Sequence, residues 1–281
     1  MPSPTRVCIE HFLGSFLVIS VMGALNYYYN LSSFGINAFI FSVSGLMIFT
    51  LIWISFTDQV FEISWRSAML GGFFSMGIYI FLTSPQHIKI FGLYMSVMAF
   101  FHFTEFLSIS IIQPSKVSKD SFVINHSPQY TMAAVTSWIE FFIEAYFWPG
   151  LKQYFCYVSY IGLALCIAGE CLRKLAMLTA RGNFNHLVQC EKAKDHVLVT
   201  GGIYSLFRHP SYVGWFYWAI GTQLILVNPI CLPAYIFASW SFFKSRIYIE
   251  EITLLNFFGQ QYVDYQKIVG TGIPFIKGYQ I

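Results

Sequence analysis

Charged residues are scarce in this chain of 281 residues: they make up 10% of it, against 56% for hydrophobic residues. Soluble globular proteins carry about 25% charged residues. The scarcity excludes an ordinary soluble domain, and about eight apolar stretches in series predict a polytopic helical membrane protein. The net charge of +3 comes without a basic run, so we predict no nucleic-acid partner.

Paired cysteine spacings are also missing. The six cysteines show no CxxC motif, so we expect buried membrane thiols, without a disulfide framework and without a metal site. They are Cys8, Cys156, Cys166, Cys171, Cys190 and Cys231. The first apolar run lacks a small-residue cleavage site, which predicts a spanning anchor rather than a cleaved signal peptide.

The apolar stretches predict an all-α membrane fold with about eight transmembrane helices. The expected spans are 9–28, 35–56, 66–84, 88–112, 129–148, 153–178, 210–227 and 230–253. We expect residues 1–112 to hold the first four helices. Residues 113–281 then hold the last four, together with most of the polar motifs.

The distribution of lysine and arginine predicts the orientation of these spans, because basic residues favour cytosolic loops. With the N-terminus in the cytosol, fourteen of the sixteen basic residues fall on the cytosolic side, and only Lys89 and Lys152 fall on the other. Both termini are then cytosolic. Asn30 begins a glycosylation sequon on the far side, too close to the membrane for us to expect its use.

The stretch from Gly201 to Trp215 opens a helical hairpin that turns at Asn228-Pro229, since proline cannot continue the preceding helix. Equal arms put His209 opposite Tyr248, each about 29 Å from the turn at 1.5 Å per residue. This arrangement gathers polar residues at one cytosolic face of the membrane and predicts a site there. They are Arg208, His209, Arg246, Glu250 and Glu251.

The start of the hairpin suits an anionic ligand group, since the free N–H groups of a helix that begins at Pro210 can bind a carboxylate. Arg246 and Glu250 stand four residues apart on the other arm. They form either a stabilising ion pair at the helix end or two separate ligand contacts, with Arg246 on a carboxylate and Glu250 on hydroxyls or an amine. Arg173 either snorkels to the membrane surface or faces the site.

A polar segment precedes the hairpin. Within it, 196–204 is a short β-like apolar run that ends in a Gly-Gly turn. The run is either one wall of a site for a planar group or an ordinary loop. In the earlier spans, His102, Glu105, Glu140 and Glu144 are buried polar groups for which interhelical hydrogen bonding is the favoured explanation.

Three motifs together resemble the C-terminal signature of the isoprenylcysteine carboxyl methyltransferases. They are Gly202-Ile203-Tyr204 followed by Arg208-His209-Pro210-Ser211-Tyr212-Val213-Gly214, then Glu250-Glu251, then Phe258-Gly259-x-x-Tyr262-x-x-Tyr265. The eight-span layout resembles the eukaryotic branch of that family. The resemblance implies a catalytic core in residues 113–281, with a cytosol-facing pocket formed by the C-terminal helices and the polar segment 179–208.

The resemblance also implies the chemistry and the site. Members of the family are endoplasmic reticulum enzymes that transfer a methyl group from S-adenosylmethionine to the α-carboxylate of a C-terminal prenylated cysteine in processed CaaX proteins, such as small GTPases. The implied catalytic and substrate-carboxylate residue is Arg246. Arg173, which could face the site, is the second candidate for substrate binding, and membrane lipid is an expected partner. The implied cofactor residues are Gln189, His196, Val197, Leu198, Val199, Tyr204, His209, Pro210, Ser211, Tyr212 and Glu250.

Related C-terminal motifs leave other functions open. A phospholipid N-methyltransferase would methylate an amine and need a base, and an NADPH-dependent sterol reductase would need a nicotinamide site. A small-molecule transporter could use the same polar vestibule, but transporters often contain repeated broken helices, and this chain has no second copy of 201–251. Farnesyl versus geranylgeranyl preference has no signal in the sequence.

Overall fold

The structure, a computed structural model, describes residues 3–29, 58–124, 127–192 and 196–279, and these residues form helices and connecting segments without a strand. The α-helices are α1 Pro4–Tyr29, α2 Asp58–Thr83, α3 Gln86–Ile112, α4 Pro128–Phe147, α5 Pro149–Tyr154, α6 Cys156–Ala180, α7 Pro210–Leu226, α8 Cys231–Phe258 and α9 Gln260–Ile268. The all-helical prediction is confirmed for these residues, and the predicted span 35–56 lies outside them.

Most helix boundaries lie within a few residues of the predicted ones, with three differences. Helix α2 begins at Asp58, eight residues before the predicted start at 66. The separate short helix α5 covers the predicted start of the span 153–178, and α8 continues to Phe258 rather than ending near 253. By length and composition, two described helices could cross a membrane: Pro4–Tyr28 and Gln86–Ile112. The chain forms two compact units, Met1–Tyr157 and Val158–Ile281.

The first unit packs its helices through aromatic and small polar side chains. The rings of Phe12 and Phe103 stack with centroids 3.8 Å apart. His102 Nδ1 donates to the Phe122 carbonyl at 3.0 Å, which leaves its Nε2 to accept from the Tyr130 hydroxyl at 3.3 Å. The fully buried Lys152 donates to Glu144 at 2.6 Å. Hydrogen bonding between protein groups thus accounts for the buried polar groups His102 and Glu144.

The second unit depends on close contact between α6 and α7, which run antiparallel. Each carries two glycines seven residues apart, and Gly169 faces Gly214 while Gly162 faces Gly221. A Cβ atom on Gly214 would lie 2.5 Å from the Gly169 carbonyl oxygen, and a Cβ on Gly169 would lie 2.5 Å from the Gly214 carbonyl oxygen. Small residues let helix backbones approach in this way. Gly214 therefore serves helix packing.

The hairpin between α7 and α8 turns where the sequence predicts it. Val227 adopts a left-handed conformation with φ of 54°, and the Asn228 side chain donates to Gln223 Oε1 at 3.2 Å. A buried cluster then joins the two arms to the C-terminal segment, and it comprises Val213, Phe216, Phe243, Ile247, Ile273 and Ile276. The first turn of α7 and the last turns of α8 consequently lie side by side.

Helix α9 folds back after Gly259, whose φ of 53° ends α8. The Tyr265 hydroxyl donates to the Tyr204 carbonyl at 2.5 Å, and burial raises the pKa of Tyr265 to about 12. Burial, reinforced by the negative charge of Glu251, raises the pKa of Tyr262 well above its ordinary value. Both phenols therefore stay protonated at physiological pH and act as hydrogen-bond donors.

We expect Gly214→Ala to destabilise the second unit, because the added methyl group meets backbone atoms of α6 that cannot move without separating the helices. The melting temperature of the purified protein should fall by several degrees, about 2–4 °C for each kcal/mol lost in a domain of 150–250 residues. Gly201→Ala is the matched control, since nothing lies within 4 Å of its added Cβ. Equal melting temperatures for the two variants would contradict the close-packing explanation.

Candidate functional site

The site is organised around the carboxylate of Glu251, which is fully buried near the end of α8. Five groups donate to it. Oε1 accepts from Arg208 Nε at 2.8 Å, from His209 Nε2 at 3.1 Å and from the Tyr262 hydroxyl at 3.1 Å. Oε2 accepts from Gln266 Nε2 at 3.2 Å and from the backbone N–H of Tyr279 at 2.7 Å. A buried carboxylate needs such partners to remain charged.

Arg208 extends this network into the C-terminal segment. Its guanidinium also donates to the backbone carbonyls of Gln266 at 3.3 Å, Lys277 at 2.9 Å and Val269. Its backbone N–H donates to the Gly270 carbonyl at 2.8 Å. Arg208 therefore links the start of α7, the end of α8 and the chain beyond α9. That role is structural. A basic residue beside a span is usually expected only to lie at the membrane surface.

The equal-arm geometry predicts His209 opposite Tyr248, and in the structure the His209 ring contacts Glu251, three residues further along α8. His209 is the cap of α7, with φ of −125° and ψ of 58°. Glu250, Glu251, Arg208 and His209 nevertheless lie together, as predicted.

Glu250 faces the opposite side of His209 from Glu251. Its Oε1 lies 3.7 Å from His209 Nδ1, and its Oε2 accepts a short hydrogen bond from the Tyr212 hydroxyl. The rings of His209 and Tyr212 stack with centroids 5.6 Å apart and 8° between their planes. Glu251 thus holds His209 through Nε2, while Glu250 lies near Nδ1 and is hydrogen-bonded to Tyr212.

Arg246 lies one turn before Glu250 on α8, and the Tyr212 hydroxyl stands between the two. Arg246 Nε donates to that hydroxyl at 3.1 Å, and the hydroxyl donates to Glu250. Arg246 Nη2 donates to the His186 carbonyl at 2.5 Å. Tyr212 therefore mediates between the cation and the anion, in place of the direct ion pair that the four-residue spacing alone suggests.

Arg173 is 1% exposed, so it does not snorkel to the membrane surface. Its Nη1 donates to Ser211 Oγ at 2.6 Å, its guanidinium lies 4.6 Å from the centroid of the Trp215 ring, and its Nη2 lies 3.5 Å from His186 Nδ1. His186 consequently contacts both arginines, one through its ring and the other through its carbonyl.

A cavity of about 120 Å³ lies against these groups. All eleven predicted cofactor residues line it: Gln189, His196, Val197, Leu198, Val199, Tyr204, His209, Pro210, Ser211, Tyr212 and Glu250. Arg246 and Arg173 adjoin the lining through their hydrogen bonds to Tyr212 and Ser211. The cavity thus has a carboxylate within its wall and two guanidinium groups beside it.

The β-like run at 196–204 is not a strand. Residues 196–200 form an irregular segment, and Gly202–Ser205 form a 3-10 turn. The segment is nevertheless held in place, because the Val197 N–H donates to Asn183 Oδ1 at 2.8 Å. His196 to Val199 and Tyr204 line the cavity, and the interpretation as a wall for a planar group stays a prediction.

Sequence reasoning missed several lining residues. On α8 they are Thr253, Leu254, Phe257 and Phe258, and elsewhere they include Asn183, Phe184, Asn185, Tyr262 and Tyr265. A signal existed for the α8 group: Thr253, Leu254 and Phe257 follow Glu250 by three, four and seven residues, so they share its helix face. The α9 tyrosines Tyr262 and Tyr265 belong to the motif after Phe258-Gly259, which was their signal, although spacing alone does not show that the chain turns back at Gly259.

Comparisons with known proteins bear on this site directly. The model of the isoprenylcysteine carboxyl methyltransferase family matches residues 161–256. A protein-S-isoprenylcysteine O-methyltransferase of Tribolium castaneum is 58% identical over 282 aligned residues, covering 100% of both chains. The human protein of the same name is 49% identical over 79% of this chain and 77% of its own length.

A solved structure gives the same result for the fold. The eukaryotic intramembrane Ras methyltransferase, an isoprenylcysteine carboxyl methyltransferase, superposes with a TM-score of 0.96 at 58% identity, over 99% of this chain and 100% of the other. Identity of this size over whole chains, with the same helical arrangement, is sufficient for assignment. The chain belongs to the isoprenylcysteine carboxyl methyltransferase family of membrane enzymes.

Proposed function

We propose that this protein methylates the C-terminal α-carboxylate of prenylated cysteine in processed CaaX proteins, with S-adenosylmethionine as the methyl donor. The observation that carries the proposal is the arrangement of charges around Tyr212. Glu250 lies in the cavity wall on one side of the hydroxyl, and Arg246 lies on the other side at 3.1 Å. The proposed methyl donor is cationic and the acceptor carboxylate is anionic, so each needs a protein group of opposite charge. Glu250 and Arg246 are such groups, and they are neighbours.

The residues of the cavity fit the proposed cofactor. S-adenosylmethionine has an amine, hydroxyl groups and a planar base, and its reactive group is a methyl on a positively charged sulfur. Glu250 offers carboxylate oxygens to the amine or the hydroxyls. Tyr204, Phe257 and Phe258 offer rings for the planar base, and His196 packs edge-on against Phe258 with centroids 5.5 Å apart.

Arg246 is the residue that we assign to the substrate carboxylate. Its Nε and Nη2 already donate to Tyr212 and His186, so the guanidinium is fixed in place and Nη1 is the group we assign to the substrate. A single contact orients a carboxylate while leaving lone pairs for attack, whereas a bidentate pair would occupy both oxygens. Arg173, held by Ser211 and Trp215, adds positive potential from the other side of His186.

The reaction needs no general base, because a carboxylate with a pKa of about 3.5 is already ionised at neutral pH. When bound, S-adenosylmethionine would supply a methyl group whose carbon–sulfur bond would break, with its electron pair left on sulfur, as a carboxylate oxygen bonded to the methyl carbon. The opposite charges of the two reactants would be lost on ester formation. The protein therefore contributes by aligning the carboxylate behind the methyl group and by excluding water, tasks that Arg246 and the apolar lining perform.

We also propose the predicted topology: about eight spans in the endoplasmic reticulum membrane, with both termini and the cavity on the cytosolic side. Fourteen of sixteen basic residues support this orientation. A site at the interface receives a water-soluble cofactor from the cytosol and a prenyl chain from the lipid. Prenylated small GTPases are suitable substrates. In this proposal residues 113–281 carry catalysis, and residues 1–112 supply the first four helices.

The alternatives fit the site less well. A phospholipid N-methyltransferase acts on an amine, for which the guanidinium groups of Arg173 and Arg246 beside the cavity are unfavourable neighbours. Neither a reductase nor a transporter function accounts for the placement of Glu250 and Arg246 on the two sides of the Tyr212 hydroxyl.

Methyl transfer can be measured directly with purified protein, a labelled methyl donor and a farnesylated cysteine analogue. We expect a base-labile methyl ester, since the acceptor is a carboxylate. The same analogue with its carboxylate amidated is the control and should accept no label. Label that resists base, or that appears on an ethanolamine lipid, would contradict the proposed function.

For Glu250→Gln we expect S-adenosylmethionine affinity to fall about tenfold to a hundredfold, the usual effect of losing a hydrogen bond to a charged group. Isothermal titration with S-adenosylmethionine and S-adenosylhomocysteine measures it. The matched control is Glu191→Gln, which removes an exposed carboxylate outside the cavity lining. Unchanged affinity in Glu250→Gln would remove Glu250 from the cofactor site.

For Arg246→Ala we expect cofactor affinity to stay within about twofold, while kcat/KM for the farnesylated analogue falls about a hundredfold through loss of a charged contact to the carboxylate. Lys244→Ala, on the same helix, should change neither quantity. Loss of cofactor binding with normal substrate kinetics would show that the two assigned roles are reversed.

A further inference from the structure

The chain beyond α9 leaves the network of Arg208 and returns to it seven residues later. At the start of this segment, the Gly270 carbonyl accepts from the Arg208 N–H at 2.8 Å. At its end, the Lys277 carbonyl accepts from Arg208 Nη2 at 2.9 Å. We call residues 270–277 the tail loop. Both of its ends are therefore fixed at the level of the Arg208–Glu251 pair.

The tip of the tail loop lies far from that level. The Pro274 carbonyl accepts from Trp240 Nε1 at 2.8 Å, and Trp240 lies eleven residues before Glu251 on α8. Eleven residues of helix correspond to about 16 Å along its axis, roughly half the thickness of a hydrocarbon core. Ile273 and Ile276 pack beside Phe216 and Phe243, which lie along the same stretch of the hairpin.

Several backbone groups of the tail loop have hydrogen-bond partners within the protein. Its turn is closed by a hydrogen bond from the Ile276 N–H to the Ile273 carbonyl at 3.2 Å. The buried Thr271 hydroxyl donates to the Ile276 carbonyl at 2.5 Å, and Trp240 supplies the donor for Pro274. Irregular backbone is tolerated at membrane depth only where such groups are satisfied or buried in protein.

Phe275, at the tip, is directed away from the protein. Its side chain is 93% exposed, and its φ of 63° places it in a conformation that bulky residues rarely adopt. Nearby on α8, Phe237 is 71% exposed. In water, exposing the Phe275 ring on a strained turn brings no stabilisation. Transfer of the same ring from water into hydrocarbon is favourable. Phe275 on the loop and Phe237 on α8 are thus both exposed apolar side chains.

We propose that the tail loop is re-entrant: it enters the bilayer from the cytosolic side beside α8 and places Phe275 against lipid acyl chains. The ligand of this surface is the hydrocarbon of the membrane itself. The proposal rests on the proposed topology, in which α8 crosses the bilayer. It adds a lipid-facing element to a segment that lies after the last predicted span.

Cysteine accessibility in sealed microsomes tests the tail loop. Phe275→Cys and Ile268→Cys are matched, because the native side chains are 93% and 84% exposed, and Ile268 lies at the end of α9. A charged, membrane-impermeant maleimide should modify Ile268→Cys on the cytosolic side. We expect Phe275→Cys to react at least tenfold less until the membrane is dissolved in denaturing detergent. Peptide mapping separates these sites from the native cysteines.

Ile230→Cys, at the 73% exposed turn between α7 and α8, distinguishes failure of the loop from failure of the topology. It should react only after a pore-forming reagent opens the microsomes. If Ile230→Cys and Ile268→Cys react together in sealed microsomes, α8 does not span, and both proposals fall. If Ile230→Cys and Ile268→Cys react on opposite sides of the membrane but Phe275→Cys reacts like Ile268→Cys, only the proposal of a re-entrant tail loop is overturned.

A lipid-soluble photoactivated diazirine, applied to the native protein in microsomes, identifies what covers the ring. We expect adducts on the peptide that contains Phe275 as well as on the one that contains Phe237. Adducts on Phe237 without any on Phe275 would mean that another protein surface covers the loop, and that result would also overturn the proposal.

Discussion

The buried pair of Arg208 and Glu251 is the interaction on which the second unit depends. Removing a carboxylate and a guanidinium from water is costly, and a buried pair recovers that cost only when its remaining hydrogen bonds are satisfied. Here the carboxylate accepts from five donors, and the guanidinium serves three backbone carbonyls besides. Because the partners come from α7, α8, α9 and the tail loop, none of these elements can shift without leaving a buried charge unpaired.

This constraint explains how the site obtains its rigidity. His209 is attached to the same oxygen of Glu251 as Arg208, and its ring stacks on Tyr212. Tyr212 in turn fixes the distance between Arg246 and Glu250. A group that must align two bound molecules of opposite charge gains from such a fixed frame, since small displacements reduce the rate of an in-line displacement. The imidazole of His209 thus connects the buried carboxylate of Glu251 with that of Glu250 in the cavity wall.

The sequence predicted those parts of the site that depend on local geometry. The turn at Asn228-Pro229 and the rise of a helix were enough to bring His209 and Glu250 together. The motif resemblance supplied the lining residues from Gln189 to Tyr204. What it could not supply depends on long-range backbone contacts: the return of Tyr262 after Gly259, the irregular path of 196–200, and the carbonyl of His186 on Arg246. None of these has a periodic signature.

The tail loop shows why such elements escape hydropathy arguments. Its eight residues are too few to resemble a span, and its ends bind Arg208 through backbone carbonyls, which hydropathy does not register. Two glycines mark it in the structure. At Gly272, with φ of 95°, a Cβ would overlap Val213 and Phe207, and at Gly278, with φ of 79°, a Cβ would overlap the Glu251 carboxylate. Gly272, in the loop, and Gly278, directly after it, therefore occupy positions that only glycine can take. The same stretch of backbone fixes the position of the loop against the hairpin and the packing around Glu251.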